Sequence, residues 1–255
     1  MGAVVILGRL RALLLPAGFV LGWQLLSGVL VPDFGQVVPP PSRVLAAGWR
    51  VLASGDLLAH IGHSLVRVLG GFAAAALVAI PLGIGIGLCS FVEDLADPVV
   101  EFLRPIPPIA WIPLGILWFG IGDAQNMFII FLGAFFPILL NTIAGVRRVE
   151  RTLVWGALTL GGRRHQIVRE IVLPSALPLI LTGLRIGLGV GWMALVAAEL
   201  VAARSGLGFM IQSARYAFLT ERVIFGMAVI GVLGLTMDRV MRTLERRLSP
   251  WATAS

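Results

Sequence analysis

Few residues in this chain are of a type and spacing that could do chemistry. His60 and His63 stand at i and i+3, which can present two imidazoles to one metal ion, but no glutamate occupies the position a zinc hydrolase needs and no third ligand is near. Gly83-x-Gly85-x-Gly87 and Gly187-x-Gly189-x-Gly191 have the glycine rhythm of nucleotide-binding turns. Both lie inside apolar blocks and neither follows a strand, so close helix packing is the better account. All 20 basic residues are arginine. A phosphate-binding loop ends in Lys-Ser/Thr, with the lysine reaching the terminal phosphates. This chain therefore cannot be such an ATPase by itself, and any ATP is handled elsewhere. The single cysteine, Cys89, excludes an internal disulfide or a multi-cysteine zinc site and reads as a buried bystander. An intramembrane hydrolase would need a buried aspartate pair, a serine with a base, or a metal site, and none is assembled.

Two ionisable residues stand out because of what surrounds them. Glu199 sits in an apolar run, where a carboxylate is costly unless paired or hydrated, and so is a functional candidate by default. A bridge to an arginine such as Arg204, orientation of an outer gate and a structural hydrogen bond all remain open for it. Direct binding of an anion would be electrostatically unfavourable. Arg185, at the other end of the same run, either snorkels to phosphate headgroups or offers positive potential to a passing anion.

The elements that must position these groups are membrane helices. The chain is 58% hydrophobic and 13% charged with a mean hydropathy of +0.96, against roughly 45–50% apolar and about 25% charged in soluble domains. Six spans are expected, Ala12 to Pro32, Val68 to Val92, Pro105 to Gly122, Met127 to Val146, Ile186 to Ala203 and Val223 to Met237, each near the length that crosses a hydrocarbon core of about 30 Å. The first, preceded by Arg9 and Arg11, is too long for a signal-peptide core and ends without a small-x-small cleavage pattern, so it reads as a retained anchor. A cytoplasmic N-terminus places about 13 arginines inside and about 6 outside, which puts both termini in the cytoplasm. The net charge of +7 is thus a topology signal and does not point to nucleic acid. The expected organisation is an N-terminal anchor and external connector over 1–63, a core membrane domain over 64–240 and a cytoplasmic tail over 241–255. Val38-Pro39-Pro40-Pro41-Ser42 is a stiff connector leading to an amphipathic helix near Val44 to Leu58.

The longest basic loop, 147–174, is cytoplasmic on this topology and holds six arginines. From Thr152 to Pro174 it reads as two short helices broken at Gly161-Gly162, where positive φ is cheap, and stopped at Pro174. Thr152 is the expected N-cap. The run Pro105-Ile-Pro107-Pro108-Ile-Ala-Trp111-Ile-Pro113 removes four backbone donors at membrane depth, which is tolerable only where protein or a watery cavity covers the backbone. Trp111 and Trp118 are then either wall and gate residues or interfacial anchors.

The loop resembles the permease subunits of binding-protein-dependent ABC importers, whose cytoplasmic signature is Glu-Ala-Ala, three residues, Gly, nine residues, Ile-x-Leu-Pro. Ala157, Gly161, Ile171, Leu173 and Pro174 fall at the matching spacings, whereas Trp155 and Gly156 replace the first Glu and Ala. Ser64-Leu65-x-Arg67, Gly71-Phe72, Gly183-Leu184-Arg185, Ala198-Glu199 and Gly206-Leu207-Gly208 continue the likeness, which is nearest to taurine and aliphatic-sulfonate permeases. The resemblance implies an all-α type I ABC importer permease fold with six transmembrane helices in a bacterial inner membrane. It implies a coupling loop built from Trp155, Gly156, Ala157, Gly161, Arg163, Arg164, Ile171, Leu173 and Pro174. Path residues are expected among Pro107, Pro108, Trp111, Pro113, Trp118, Arg185 and Glu199. The implied partners are two ATP-binding subunits carrying ATP and Mg, a periplasmic or lipid-anchored capture protein, a second copy of the chain and membrane lipid; the chain itself binds no cofactor. The cargo would be a small organic anion, an aliphatic sulfonate or taurine, with nitrate, bicarbonate or a pyrimidine or aromatic compound as alternatives. An oligomeric ion channel is the reading from another class, although no charged ring or carbonyl filter is evident.

Overall fold

A computed structural model of the chain describes residues 2–30 and 38–250. Pro32, where the first expected span ends, and residues 251–255 of the expected tail lie outside the described residues. The described chain is helical without a strand. Its elements are α1 (Gly2–Leu25, continued by a π turn to Leu30), α2 (Pro41–Ala53), α3 (Asp56–Leu88), α4 (Ser90–Leu103), α5 (Ile112–Phe119), α6 (Asp123–Arg147), α7 (Arg151–Thr159), α8 (Arg164–Ile167), α9 (Leu173–Ala202), α10 (Leu207–Tyr216) and α11 (Thr220–Leu248). The described residues form two compact units, one within 2–60 and 210–230, the other within 61–209 and 231–250.

Four helical stretches among the described residues are long and apolar enough to cross a membrane: Asp56–Leu88, Asp123–Arg147, Arg164–Ala202 and Thr220–Leu248. The expected third span is broken. Pro105 to Gly122 holds a short 3-10 turn at Pro108–Trp111 followed by α5, and together with the preceding α4 it makes a helix pair bent by 86° between Ser90–Leu103 and Pro108–Phe119. Counted as one span, this pair brings the total to five. The described part of the first expected span contributes the shorter apolar helix Leu14–Gly28.

The fifth expected span differs most. The sequence places a stop at Pro174 and a new helix from Ile186, but the chain stays helical from Arg164 to Ala202, 39 residues. Pro174 follows directly on the π turn Val168–Val172 that joins α8 to α9, where the regular hydrogen-bond ladder is already interrupted and its missing N–H costs little. At 1.5 Å per residue the rod is about 58 Å long, nearly twice the hydrocarbon thickness. A stretch of that length cannot lie wholly within the hydrocarbon core.

In the larger unit α6 lies between α3 and α9, and small residues let the backbones approach. A Cβ on Gly83 or Gly87 of α3 would come within 2.8 Å of Thr142 or 2.7 Å of Val146 on α6. On the other side, Gly183 and Gly187 of α9 are pressed on Asn141 and Ile138. Gly85 and Gly189 face open space, so in each glycine run only part of the series makes the contact. Lipid tails are as apolar as leucine side chains, so such helices associate through close packing rather than exclusion from water. Gly187→Leu would drive a side chain into Ile138 and the Ala134 carbonyl, 2.8 and 3.0 Å from the Cβ position. A loss of about 1–3 kcal/mol is expected, read as a lower thermal midpoint in detergent; Gly189→Leu, with nothing within 4 Å, is the matched control.

Candidate functional site

Three short stretches far apart in sequence meet at one buried cluster. Ser64 and Arg67 lie one turn apart on α3, Glu199 is in the last turn of α9, and Ser205 to Gly208 form the turn into α10. Ser64 Oγ donates to the Glu199 carboxylate, with oxygens at 2.9 and 3.0 Å, and accepts the Leu207 N–H at 2.9 Å. Arg67 Nη1 donates to Glu199 Oε1 at 2.8 Å and to the Ser205 carbonyl at 2.6 Å, while Nη2 donates to Ser205 Oγ at 2.7 Å. Arg67 Nε donates to Asp123 Oδ1 at 2.7 Å, at the start of α6. The Gly208 N–H completes the shell on Glu199 Oε2 at 2.9 Å. Gly206 makes the arrangement possible: its φ is +107°, and a Cβ there would collide with the Glu199 carboxylate.

Ser64, Arg67 and Glu199 are at most 3% exposed. Burying two charges is tolerable only when attraction and hydrogen bonds replace the lost hydration, and here the carboxylate accepts from three partners. With its charge spent on Arg67, Glu199 is not presented to a ligand. The cluster clamps the ends of α3, α6, α9 and the turn before α10. The partner suggested by the sequence, Arg204, is instead exposed. The turn that follows it, Ser205 to Gly208, closes over Glu199, and the cation that reaches the carboxylate is Arg67 of α3. Arg67, Asp123 and Ser205 are thus site residues that sequence reasoning missed; the available signal was Ser64-x-x-Arg67, two polar groups on one face at the start of an apolar helix.

Of the remaining path candidates, Trp111 packs against the cluster of Ile112, Ile129, Ala194, Ala198 and Ala202. Trp118 is 56% exposed and meets Phe128 edge-on at 5.8 Å. Pro107 and Pro113 are exposed and Pro108 is half-buried. Arg185 is fourteen residues before Glu199 on α9, about 21 Å away at 1.5 Å per residue, so the two do not form one site. Its Nη1 pairs with Glu245 Oε2 of α11 at 3.1 Å, and Thr182 Oγ1 donates to Glu245 Oε1 at 3.2 Å. Beside them is a cleft of about 60 Å³, which Trp192 and Asp238 also line. Cys89, expected to be buried, is exposed in the break between α3 and α4.

The arginine-rich loop is built by local rules. Arg147 ends α6 in an ion pair with Glu93 of α4. Glu150, not Thr152, precedes α7, so Thr152 is already inside the helix and the expected cap is displaced by two residues. The helix closes on Gly161 at φ +81°, with Gly161 N–H donating to the Leu158 carbonyl at 3.0 Å and Gly162 N–H to the Ala157 carbonyl at 2.9 Å. This crossed pair is the Schellman termination that a left-handed glycine permits. Gln166 starts the next helix by accepting the Arg163 N–H on its side-chain oxygen at 3.0 Å.

Val154, Ala157 and Ile171 pack onto Val146, Ile167, Val172 and Ala176, which fixes the loop to the bundle. Other apolar side chains of the loop are uncovered: Trp155 is 64%, Leu160 89%, Leu153 52% and Leu158 48% exposed. Arg163, Arg164, Leu173 and Pro174 are exposed as well. Ala157, the opening signature residue that this chain retains, is the one facing inward. Trp155 and Gly156, where it departs, face outward.

The helical stretch Arg164–Ala202 thus carries the buried cluster at one end and the arginine-rich loop at the other. The family model of the binding-protein-dependent transport system inner membrane component matches residues 79–250, and the chain belongs to that family. It is a permease subunit of an ABC importer, a multi-pass membrane protein that works with an ATPase and a binding protein and is not itself an enzyme. It is 44% identical to the taurine transport system permease protein TauC of Escherichia coli, over 84% of this chain and 80% of that one. It is 38% identical to a putative aliphatic sulfonates transport permease protein of Bacillus subtilis, over 96% and 88%. The fold matches a permease chain of the MetNI methionine ABC transporter in an inward-facing conformation, with a TM-score of 0.66, 18% identity and coverage of 75% and 95%.

Proposed function

We propose that this chain forms the translocation path for a small organic anion, an aliphatic sulfonate or taurine, and that its 147–174 loop is the coupling element driven by the ATPase. The substrate class is supported by the sulfonate and taurine relatives. The coupling role is supported by one observation above all: the loop, with Trp155 and Leu160 exposed, packs on a segment that continues without interruption into α9. In this mechanism two copies of the chain form the path, two ATPase subunits carry ATP and Mg, and a periplasmic or lipid-anchored capture protein delivers the anion. Both termini lie in the cytoplasm, on the same side as the loop. Closure of the ATPases displaces the two loops, and each 39-residue helical rod carries that displacement toward its Glu199 end. ATP does work only by favouring one membrane conformation over the other.

The test is ATP-dependent uptake of labelled taurine by proteoliposomes holding the assembled complex and its capture protein, with unlabelled sulfonates, nitrate, bicarbonate, pyrimidine precursors and aromatic acids as competitors. Sulfonates are expected to compete and nitrate not to. A capture protein that binds nitrate and no sulfonate would overturn the substrate assignment. Passive conductance with no ATPase co-purifying would favour an ion channel instead.

A further inference from the structure

Helix α2 has three distinct sides within the smaller unit. Val44, Ala47, Gly48 and Val51 are buried, and Gly48 lies so close to Phe225 of α11 that a Cβ would collide with the ring. Roughly a third of a turn away, by the 3.6-residue helical period, Leu45, Trp49 and Leu52 form a line at i, i+4 and i+7. These three are 69%, 71% and 42% exposed. Arg43 and Arg50, also exposed, occupy the remaining side.

The contacts of α2 set its height. The Ser42 N–H donates to Gln24 Oε1 at 3.1 Å, and Gln24 Nε2 donates to Ser42 Oγ at 3.2 Å. Gln24 is near the end of the apolar stretch Leu14–Gly28, and Phe225 is in the second turn of α11, itself long and apolar enough to cross a membrane. Helix α2 thus lies across the ends of two apolar helices, where hydrocarbon gives way to headgroups. The last turn of α10 and the loop from it into α11 have the same aromatic and arginine character. Phe218, at φ +55°, is 91% exposed, and the Arg215 guanidinium stands 5.7 Å from the centre of the Tyr216 ring.

We propose that α2 lies in the plane of the membrane interface, with Leu45, Trp49 and Leu52 in the upper acyl region and Arg43 and Arg50 paired with lipid phosphates. Buried side toward the protein, apolar stripe toward hydrocarbon and arginines toward headgroups is the division a helix lying along the interface requires. Tryptophan is the side chain most at home at that depth, with an apolar body and one polar N–H. A water-facing helix would leave the stripe uncovered.

The experiment uses the complete importer in lipid nanodiscs of phosphatidylethanolamine and phosphatidylglycerol, in a Cys89→Ser background. Bimane is attached in turn at Leu45→Cys, Trp49→Cys, Leu52→Cys, Arg43→Cys and Arg50→Cys. Lipid carrying a nitroxide high on its acyl chain is expected to quench the first three at least about threefold more than the last two, and aqueous iodide to show the reverse order. Added capture protein is expected to leave both patterns unchanged. Iodide reaching positions 45, 49 and 52 as readily as 43 and 50 would overturn the proposal. So would shielding of those three positions only when the capture protein binds, since the stripe would then be a protein docking face.

Discussion

Arg67→Ala is expected to cost about 3–5 kcal/mol and to leave little permease in a folded, detergent-soluble form. Removing the guanidinium strands Glu199, which is 1% exposed, and removes both bonds to Ser205. Two comparisons separate this from a general intolerance of mutation. Asp123 also bonds Arg67, but its side chain is 64% exposed, so water replaces the lost contact and Asp123→Asn should cost about 0–1 kcal/mol. Combining Arg67→Met with Glu199→Gln removes both charges together and should recover part of the loss, because the larger penalty in the single variant is the unpaired charge rather than the missing bond. Folded yield and thermal midpoint of the complex are the readouts. Equal behaviour of Arg67→Ala and Asp123→Asn would show that the buried pair does not hold these helix ends together.

At the opposite end of the rod, Trp155→Ala is expected to weaken association with the ATPase by about 2 kcal/mol or more, roughly thirtyfold, while leaving the permease folded. Trp155 is largely exposed and the cluster under the loop is built from Val154, Ala157 and Ile167, so its truncation removes surface and not support. Leu160→Asp, at a position 89% exposed, should have a comparable effect by placing a charge where an apolar surface is to be covered. Arg242→Gln, whose Nε bonds only the neighbouring Asp238 on α11, is the control. The measurements are co-purification of the ATPase and stimulation of its hydrolysis by the capture protein. Unchanged assembly and stimulation in both loop variants would refute the coupling assignment, and normal thermal midpoints would show that folding was not the cause.

The bend at the proline run, the Gly161 break and the glycine contacts between membrane helices were all legible because each is a local consequence of residue type. A missing donor, an absent Cβ or a left-handed turn acts within a few positions of itself. The continuity of Arg164 to Ala202 was not legible, since proline reads as a stop unless the chain shows the hydrogen-bond ladder before it already interrupted. The displaced cap at Glu150 has a similar origin: Thr152 is the better cap by residue type, Glu150 makes no side-chain cap bond, and the path of the chain leaving α6 starts the helix two residues early.

The sequence by itself determined the apolar helices that make this a membrane protein, the exclusion of a phosphate-binding ATPase loop by the absence of lysine, and the importer signature between Ala157 and Pro174. These follow from composition and short-range spacing, which tertiary contacts do not alter. Tertiary structure alone decided that Glu199 belongs to Arg67 and not to Arg204, and that Ser64, Arg67, Glu199 and Gly206 are one site. Those residues are up to 142 positions apart, and which buried charge finds which partner depends on the relative heights at which packed helices place their side chains. A one-dimensional pattern does not encode those heights.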